Sequence, residues 1–397
     1  MKKLMILGGS HYILPVIKRA HEMGLYVITV DYVPDNVAHK YSDEYHNVSV
    51  VDNEAVLELA KRLNIDGIMS FACDAGVVAA AYVANKMGLP TLPLESVEIL
   101  QNKGKFRHFL EVNGFNVPKS FSYYTKESAL ADNDKFDYPI IVKPVDSCGS
   151  KGVSRVDCTA ELEEALDYAF AVSIHKEIIV EDFLEPEGHT SDSDCFSING
   201  KMEFISFSDQ YFDDGAENQY TPVAYAWPSS MKKSYQDELC NELQRLCDLL
   251  HLTTSIYNIE TRISRGKPYI MECSPRGGGN RISEMIRLIS DVDLIDLSIK
   301  AAIGETVDID SSKGFHFYLA EYILHSNKSG VLKSVDILPS YKGLLIENDL
   351  WSLPGEKVNS MTGANTTIGT LVYALNNEQQ FTEFNIGVQD KYKVNVR

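Results

Sequence analysis

Two glutamates stand twelve positions apart in the segment TSIYNIETRISRGKPYIMEC, in which two apolar runs flank a turn near Arg265 and Gly266. If the loop has an odd number of residues, Glu260 and Glu272 face each other on one side of a hairpin. Cross-strand Cβ atoms lie about 5 Å apart there, and like charges destabilise the sheet unless something neutralises them. Mg²⁺ suits this task, because it takes oxygen ligands from carboxylates and phosphates. With an even loop, the two glutamates lie on opposite faces and one is merely solvated.

A lysine ends the apolar segment YPIIVKP, residues 138–144, and a loop of small residues follows it. Because an ammonium group on so apolar a strand needs an anion nearby, Lys143 is a candidate phosphate ligand. The loop can bring backbone N–H groups close to phosphate oxygens and adds a positive charge. Its candidate residues are Ser147, Gly149, Ser150, Lys151 and Gly152. It is not a Walker A loop, because no G-K-[ST] opens a helix here. The alternative is an ordinary hairpin turn beside a surface lysine.

Two arginines flank a run of three glycines in SPRGGGNRIS, directly after Glu272. The planar guanidinium groups of Arg276 and Arg281 suit a carboxylate or a phosphate, and the glycines remove side chains from one wall. Glycine-rich segments also occur as plain linkers. Their position beside a carboxylate-bearing strand favours a ligand clamp.

The elements that must position these groups change along the chain. Short apolar runs alternate with amphipathic stretches over the first 90 residues, which predicts a parallel sheet covered by helices. From Val117 onward strands and hairpins dominate, which predicts an α+β unit with its best helix over 237–252, and the tail beyond Val307 is again strand-like. The acidic residues Asp192 to Asp194, and those between 213 and 217, are typical of polar loops.

The first turn, GGSHYI, has two glycines after a strand, and Asp31 ends the next strand. This pattern is similar to a nicotinamide-dinucleotide fingerprint, but Ile13 stands where the third glycine belongs. The favoured interpretation is the tight turn that any β-α-β unit needs. A third interpretation is that the N–H groups at the helix start hold an anionic part of a substrate.

Composition limits the classes of function. The chain has 397 residues, enough for two or three domains, with 44% hydrophobic and 23% charged residues, a globular mixture. The net charge of −19 disfavours nucleic acid and anionic membranes as partners. Seven scattered cysteines without a C-x-x-C pair support neither a disulfide framework nor a structural zinc site. With no run of 18 apolar residues, we expect no membrane span and a reducing, cytoplasmic location.

Taken together, the lysine strand with its glycine loop, the segment EDFLEPEG and the ending E-x-S-P-R-G-G-G resemble the ATP-grasp superfamily. The resemblance covers nearly the whole chain and is to the branch of carbamoyl-phosphate synthetase, phosphoribosylglycinamide synthetase and biotin carboxylase. It implies an α/β Rossmann-like pre-ATP-grasp domain over residues 1–105. It also implies an α+β ATP-grasp domain over 106–306, with two subdomains and a hinge near 181–188. The last part, 307–397, would be a small C-terminal α+β domain.

The same resemblance implies roles for individual residues. The nucleotide positions are Lys103, Lys143, the closing loop from Asp146 to Gly152, Glu181, the backbone of Phe183 and Leu184 at adenine, and Glu187 at the ribose. The metal positions are Glu260, Glu272 and Ser274, the last standing where the family usually has Asn. Arg276 and Arg281 match the catalytic arginines beside the transferred phosphoryl group and the acid substrate.

The implied function is a ligase that uses ATP and Mg²⁺, or Mn²⁺, to activate a carboxylate as an acyl phosphate and to join it to an amine. Small-molecule acids and amines would be its partners, and a homodimer is reasonable. Two alternatives remain: an NAD-dependent oxidoreductase using GGSHYI and Asp31, and a nucleotide-binding module that has lost its chemistry, for which Ser274 is the hint. Cys148 and Cys273 receive no role. Specificity is expected to lie in Ser10, His11, Cys73, Asp74 and the stretch 209–220.

Overall fold

The computed structural model describes residues 1–147, 149–310, 314–385 and 391–397, so Cys148 lies outside the described residues. The chain begins with a parallel sheet in the order β3-β2-β1-β4, as the alternating pattern predicted. Its strands are β1 (Lys3–Leu7), β2 (Tyr26–Val30), β3 (Glu44–His46) and β4 (Gly67–Ser70), and its helices are α1 (Leu14–Glu22), α2 (Asn53–Leu63) and α3 (Val77–Met87). This sheet and its helices fit a Rossmann-like unit.

Local sequence signals explain where these helices begin and end. The side chain of Asp52 accepts a hydrogen bond from the Ala55 N–H and caps α2. Gly88 ends α3 in the left-handed region at φ 68°, which glycine adopts without strain. Helices α4 (Leu94–Gln101) and α5 (Lys103–Val112) then connect the parallel sheet to the rest of the chain.

An antiparallel sheet in the order β5-β8-β6-β7 follows. It consists of β5 (Ser120–Tyr123), β6 (Ile140–Pro144), β7 (Ser154–Val156) and β8 (Ile178–Asp182), with α6 (Lys126–Ala131) and α7 (Thr159–Val172). The apolar side chains of β6, β8 and α7 form its core, so the predicted lysine strand and the EDFL segment lie side by side in one sheet.

A second antiparallel sheet has the order β10-β9-β13-β14. Its strands are β9 (Ser191–Ile198), β10 (Lys201–Ile205), β13 (Ser255–Ser264) and β14 (Lys267–Ser274), and α8 (Lys233–Leu249) packs against it. Leu239, Leu243 and Leu246 of α8 are buried, which confirms the helical period seen in the sequence. The expectation of a polar loop over Asp192 to Asp194 was wrong, because these residues lie in β9, inside this sheet.

The remaining strands form two more sheets, in the orders β11-β12-β15-β19-β17 and β18-β16-β20. Their strands are β11 (Asp209–Phe212), β12 (Pro222–Trp227), β15 (Tyr318–Leu324), β16 (Gly330–Ile337), β17 (Leu345–Leu350), β18 (Lys357–Val358), β19 (Gly369–Leu375) and β20 (Tyr392–Val396). The helices are α9 (Ile282–Ser290), α10 (Leu294–Ala302) and α11 (Glu378–Asn385). Since β12 pairs with β15, the C-terminal region shares a sheet with strands from the middle of the chain. In the part of the chain that the structure describes, no helix is long and apolar enough to cross a bilayer.

Candidate functional site

Glu260 and Glu272 are direct cross-strand partners on β13 and β14. The side chains are 37% and 30% exposed, so both carboxylates reach the open face of the sheet. Two like charges in this relationship repel each other unless a cation lies between them. The pairing that the odd-loop alternative predicted is therefore present.

The reason for the pairing is different from the one expected. The turn has two residues, Arg265 and Gly266, and Ser264 pairs with Lys267 across it. A β-bulge next to Glu260 then leaves Met271 as an extra residue on β14. Because successive side chains alternate between faces, this one extra residue brings Glu272 onto the face of Glu260. The turn has an even number of residues, which alone would place the two glutamates on opposite faces, and the bulge brings them back to the same face.

A third carboxylate continues the same row. Asp192 on β9 is the partner of Glu260, so Asp192, Glu260 and Glu272 lie side by side on three adjacent strands. Asp192 accepts hydrogen bonds from the Tyr225 hydroxyl at 3.0 Å and from Asn258 Nδ2 at 2.6 Å. Burial, together with the charges of Glu260 and Asp194, raises the pKa of Asp192 to about 7.

The neighbouring row on the same face consists of Asp194, Asn258 and Ser274. Asn258 Nδ2 lies 3.2 Å from Asp194 Oδ1, which also accepts the Gly278 N–H at 2.8 Å. Burial raises the pKa of Asp194 to about 6, against the hydrogen bonds from Ser283 and Gly278 that lower it. The sequence analysis missed Asn258, although its place two residues before Glu260 on a strand puts it on the same face.

The carboxylates of Glu260 and Glu272 fit a magnesium ion for which the protein supplies only some of the ligands. Within residues 1–147, 149–310, 314–385 and 391–397, no group of three or more His, Cys, Asp and Glu residues is placed to hold a metal ion by itself. Mg²⁺ is commonly bound through one or two carboxylates, with phosphate oxygens and waters completing the octahedron. The partly exposed Glu260 and Glu272 match that pattern.

The hydroxyl of Ser274, predicted as a metal ligand, has two side-chain partners, and its metal role stays a prediction. Its hydroxyl donates to Asp74 Oδ1 at 2.8 Å and accepts from Gln101 Nε2 at 2.7 Å. Both partners come from outside the sheet, since Asp74 follows β4 and Gln101 ends α4. Ser274 therefore connects the N-terminal unit to β14.

Arg276 lies beside the carboxylate rows, as the clamp hypothesis predicted. Its Nε and Nη2 form a bidentate pair with Asp74, at 2.9 and 2.8 Å, and Nη1 donates to Asn258 Oδ1 at 2.9 Å. Burial opposes ionisation of both groups, but the mutual attraction is larger, so the pKa of Asp74 is lowered and that of Arg276 is raised. The planar donors of Arg276 are thus fixed at the edge of the site.

Arg281 has its side-chain partners on α9 and on the C-terminal strands, so its predicted role beside the transferred phosphoryl group or the acid substrate stays a prediction. Its guanidinium donates to Thr370 Oγ1 at 2.8 Å, to Glu347 Oε2 at 2.6 Å and to Glu284 Oε1 at 3.3 Å. Thr370 and Glu347 belong to the C-terminal strands. Arg281 also lines a separate pocket of about 660 Å³ between α1, α9 and Trp351. Arg281 thus connects α9 to the C-terminal strands and also faces this pocket.

Lys143 is largely buried and pairs with Glu181, which is 3% exposed. The other oxygen of Glu181 accepts Nε of Arg107 at 2.9 Å, and Arg107 is itself 1% exposed. Burial alone would raise the pKa of Glu181, but the charges of Arg107 and Lys143 lower it to about 2. Burial is the largest cause that lowers the pKa of Lys143. The side chain of Glu181, assigned to adenine by resemblance, is therefore engaged in holding the lysine.

Lys103 connects the small-residue loop after β6 to Glu272. Its Nζ donates to the Ser147 carbonyl at 2.9 Å and lies 3.4 Å from Glu272 Oε2. Its backbone N–H donates to the Val145 carbonyl at 3.1 Å. Lys103 and Lys143 also lie close enough for the charge of Lys103 to lower the pKa of Lys143. The structure thus brings Lys103, Lys143 and Glu272 together.

The small-residue loop after β6 turns through left-handed backbone at Gly149, Ser150 and Gly152, with φ values of 65°, 58° and 75°. Ser147 Oγ donates to the Lys151 carbonyl at 2.9 Å, which closes the loop, and the Lys151 side chain is exposed. A side chain at Gly152 would meet Pro144, so this position needs glycine for space as well as for φ. Residue 148, within the same loop, lies outside the described residues.

Phe183 and Leu184, whose backbone is predicted to contact adenine, lie in the segment between β8 and β9. The Phe183 N–H donates to the Pro139 carbonyl at 3.1 Å, and the Leu184 carbonyl accepts Arg262 Nη1 at 3.0 Å. Leu184 packs with Tyr269 and Met271 in a small apolar cluster. The sequence analysis did not identify this cluster.

Glu187 lies at the turn of the β13–β14 hairpin, where Oε1 accepts the Gly266 N–H at 2.8 Å. Its backbone N–H donates to the Ile263 carbonyl at 2.8 Å. Both contacts fasten the segment after β8 to the hairpin. The side chain of Glu187 is exposed, and its role at the ribose stays a prediction.

The glycines after Arg276 allow neighbouring segments to pack closely, and two of the three do not border open space. A side chain at Gly277 would overlap the ring of Phe71, and one at Gly278 would meet Asn258 and Asp194. Space is open at Gly279 alone among the three. The Ala72 N–H donates to the Gly277 carbonyl at 3.0 Å, so the run joins the N-terminal unit to the carboxylate-bearing sheet.

The N-terminal turn does not offer a dinucleotide site. A Cβ at Gly9 would overlap the ring of His39, and the Gly9 carbonyl accepts the Ala38 N–H at 3.1 Å. The carboxylate of Asp31 accepts from Val33 and Asn36, at 3.1 and 2.8 Å. A backbone approach to pyrophosphate and a carboxylate free for ribose are the two requirements of that fingerprint. These contacts favour the plain-turn interpretation.

Comparison with known proteins agrees with this geometry. Residues 100–280 match the family model of the ATP-grasp domain. A curated relative, the C-terminal section of the carbamoyl phosphate synthase large chain of Aquifex aeolicus, is 23% identical over 290 residues, which cover 72% of this chain and 53% of the relative. The chain spans about half, or less, of the length of the curated relatives it matches.

Two solved structures share the fold along the whole chain. The L-amino acid ligase of Bacillus licheniformis superposes with a TM-score of 0.82 at 22% identity, covering 100% of this chain and 99% of the ligase. The biotin carboxylase domain dimer of the 2-oxoglutarate carboxylase of Hydrogenobacter thermophilus, solved with MgADP, has a TM-score of 0.74 at 14% identity, covering 100% and 91%. Residues 100–280 are therefore similar to an ATP-grasp domain, which confirms the resemblance drawn from the sequence.

Proposed function

We propose that this protein is an ATP-dependent ligase that activates a substrate carboxylate and joins it to an amine, releasing ADP and phosphate. The observation that carries the proposal is the position of Lys103, 2.9 Å from the Ser147 carbonyl in the glycine loop and 3.4 Å from Glu272. A cation that joins a small-residue loop to a carboxylate pair suits a triphosphate bound together with a divalent metal ion.

The nucleotide would occupy the cleft between the two antiparallel sheets. Lys103 and Lys143 would neutralise phosphate charge, and the loop 146–152, with Ser147, Gly149, Ser150, Lys151 and Gly152, would cover the phosphates. The backbone of Phe183 and Leu184 and the cluster of Leu184, Tyr269 and Met271 would receive adenine. Glu181 would act through Lys143.

The chemistry needs little covalent help from the protein. A carboxylate oxygen of the substrate attacks the γ-phosphorus, and the bond to ADP breaks. The amine nitrogen then attacks the acyl carbon, loses a proton, and phosphate leaves. Bound Mg²⁺ would supply charge neutralisation at the phosphates, and Glu260 and Glu272 would hold it. Lys103, Lys143 and Arg276 would supply fixed positive charge in a site from which the loop excludes water.

The ion pair of Arg276 with Asp74 supports a substrate acid that also carries an amino group. Asp74 and Arg276 form a bidentate pair at the edge of the carboxylate rows. A zwitterionic α-amino acid could exchange with this pair, its carboxylate on the guanidinium and its ammonium on Asp74. The fold neighbour from Bacillus licheniformis is named an L-amino acid ligase. We propose α-amino acids as the first substrates to test.

For the organisation of the chain we propose the units 1–105, 106–306 and 307–397, with a hinge near 181–188. Strands β12 and β15 pair across the proposed boundary at 306, so the last two units would be joined through a shared sheet as well as through the chain. We also propose a homodimer, since the biotin carboxylase neighbour is a dimer.

An assay of ADP release tests the proposal. The protein is incubated with Mg-ATP and with pools of α-amino acids, other carboxylic acids and amines, and Glu272→Gln is the control. We expect ADP release that requires both an acid and an amine and that is lost in the variant. Undiminished turnover in the variant would contradict the metal assignment. ATP binding without turnover under any pool would support a module without chemistry, and thermal protection by NAD but not by Mg-ATP would support an oxidoreductase.

A further inference from the structure

The guanidinium of Arg107, on α5, lies between two separate parts of the candidate site. It is 1% exposed, which is rare for an arginine. Nε donates to Glu181 Oε2 at 2.9 Å, and Nη1 donates to the Met271 carbonyl at 2.8 Å. The sequence analysis assigned no role to Arg107, since nothing in LQNKGKFRHFL distinguishes it from a surface arginine.

The first contact controls the nucleotide lysine. Glu181 accepts from Arg107 on one oxygen and from Lys143 on the other, so its carboxylate is fixed between two cations. One carboxylate against two buried cations leaves a surplus positive charge, and burial makes this surplus costly until an anion binds. The Nη2 atom of Arg107 is also buried and finds no partner among the described residues. This arrangement prepares the place for a phosphate.

The second contact concerns the alignment of the metal carboxylates. Met271 is the extra residue of the β-bulge that brings Glu272 opposite Glu260. A bulge interrupts the ladder of backbone hydrogen bonds at the extra residue, and a buried carbonyl without a donor is unfavourable. Arg107 supplies that donor. It thus stabilises the backbone irregularity on which the metal site depends.

We infer that Arg107 is a positioning residue that couples nucleotide binding to metal binding, because one buried guanidinium holds both the Glu181–Lys143 pair and the Met271 bulge. The inference rests on the proposed nucleotide and metal site. It adds that the two ligands depend on one side chain that touches neither of them.

The test compares Arg107→Lys with Arg107→Met by calorimetric titration of ADP with and without Mn²⁺. Lysine keeps the charge beside Glu181, but its compact ammonium cannot replace a planar fork that reaches two acceptors. We expect Arg107→Lys to bind ADP alone like the wild type and to lose about tenfold or more of the Mn²⁺-dependent gain in ADP affinity. Arg107→Met should weaken ADP binding with and without the metal. If Arg107→Met does not fold, Arg107→Lys decides the question.

Arg245→Met is the matched control. Arg245 also donates to a backbone carbonyl, that of Asn113 at 2.7 Å, and to a glutamate, Glu242, but beyond the C-terminal end of α5. We expect it to lower thermal stability without changing the effect of Mn²⁺ on ADP affinity. If the wild type shows no Mn²⁺-dependent ADP binding, the proposed function fails. If the wild type shows it and Arg107→Lys keeps the full gain, the inference about Arg107 is overturned while the proposed function stands.

Discussion

Glu260 and Glu272 stand side by side across β13 and β14, although the turn between these strands has only two residues. In a regular hairpin with that turn, Met271 would face Glu260, and Glu272 would lie on the other side of the sheet. The bulge at Met271 reverses this arrangement. The candidate metal site therefore depends on one backbone irregularity as much as on two acidic side chains.

The two arginines around the glycine run should behave differently when each is replaced by lysine, which keeps the charge. Arg276→Lys breaks the bidentate pair with Asp74 and the bond to Asn258. We expect turnover to fall about 10- to 100-fold, the effect of losing a charge-assisted hydrogen bond in the site.

Arg281→Lys should keep turnover near the wild-type value and lower the melting temperature, because its partners Glu284, Glu347 and Thr370 hold the C-terminal strands. ADP release and thermal unfolding measure the two effects. Loss of turnover in Arg281→Lys with unchanged stability would contradict this expectation and support the predicted catalytic role of Arg281.

The raised pKa of Asp192, about 7, predicts a pH dependence of stability. Between the ordinary carboxyl pKa and 7, the folded state binds a proton that the unfolded state has released, so the free energy of unfolding decreases as pH rises from about 4 to about 7. Above about pH 7 the contribution of Asp192 to the free energy of unfolding no longer changes with pH. Asp192→Asn should remove it, and we expect the free energies of unfolding of variant and wild type to diverge by about 1 to 3 kcal/mol between pH 5 and 7.5.

Urea unfolding of both proteins across this pH range measures the difference. The asparagine can still accept from Asn258, and the Tyr225 hydroxyl can rotate to accept from it, so the variant should fold. Parallel pH profiles for the two proteins would contradict the shifted pKa.

The glycine loop is fastened to a neighbouring segment, and this contact should control its opening. Ser150 Oγ donates to the Tyr220 carbonyl at 2.9 Å, and Asn218 Nδ2 lies 3.3 Å from the Ser150 carbonyl and 3.2 Å from that of Thr362. Asn218→Ala should speed tryptic cleavage after the exposed Lys151 several-fold, because proteolysis follows the population of the open loop.

Gln219→Ala is the matched control for the loop experiment. Gln219 donates to the Asp214 carbonyl at 2.8 Å within its own segment. We expect its cleavage rate to equal that of the wild type, and Mg-ADP should slow cleavage in all three proteins. Equal rates for Asn218→Ala and Gln219→Ala would show that this contact does not restrain the loop.

The sequence was informative wherever a local pattern decides the structure. Alternating apolar runs predicted the parallel sheet, the apolar run around Lys143 predicted a buried strand, and the leucine period predicted α8. The pairing of Glu260 with Glu272 was also predicted, but through the wrong loop length. A bulge depends on contacts such as that of Met271 with Arg107, which are 164 positions apart in the chain. Single-sequence patterns carry no trace of such a contact.

Four residues have surroundings that the sequence did not predict, and the physical cause is the same for all of them. Asp192 and Asp194 are typical of a loop by residue type, yet they lie in β9 because Asn258, Tyr225 and Ser283 satisfy their carboxylates. Ser274 and Arg281 were assigned by position in a motif, and their partners come from distant segments. Polar partners that are distant in the sequence thus determine where the side chains of all four residues lie. Residue type alone could not identify those partners.

The most direct test of the ATP and metal site counts bound Mn²⁺ by electron paramagnetic resonance in the presence of ADP. Wild type, Glu260→Gln and Glu272→Gln are compared with Glu203→Gln, which removes a charge from β10 of the same sheet but away from the row. We predict nucleotide-dependent Mn²⁺ binding in the wild type and in Glu203→Gln, and at least tenfold weaker binding in each of the other two, roughly the loss of one charged ligand. Unchanged Mn²⁺ binding in Glu260→Gln and Glu272→Gln would contradict the account.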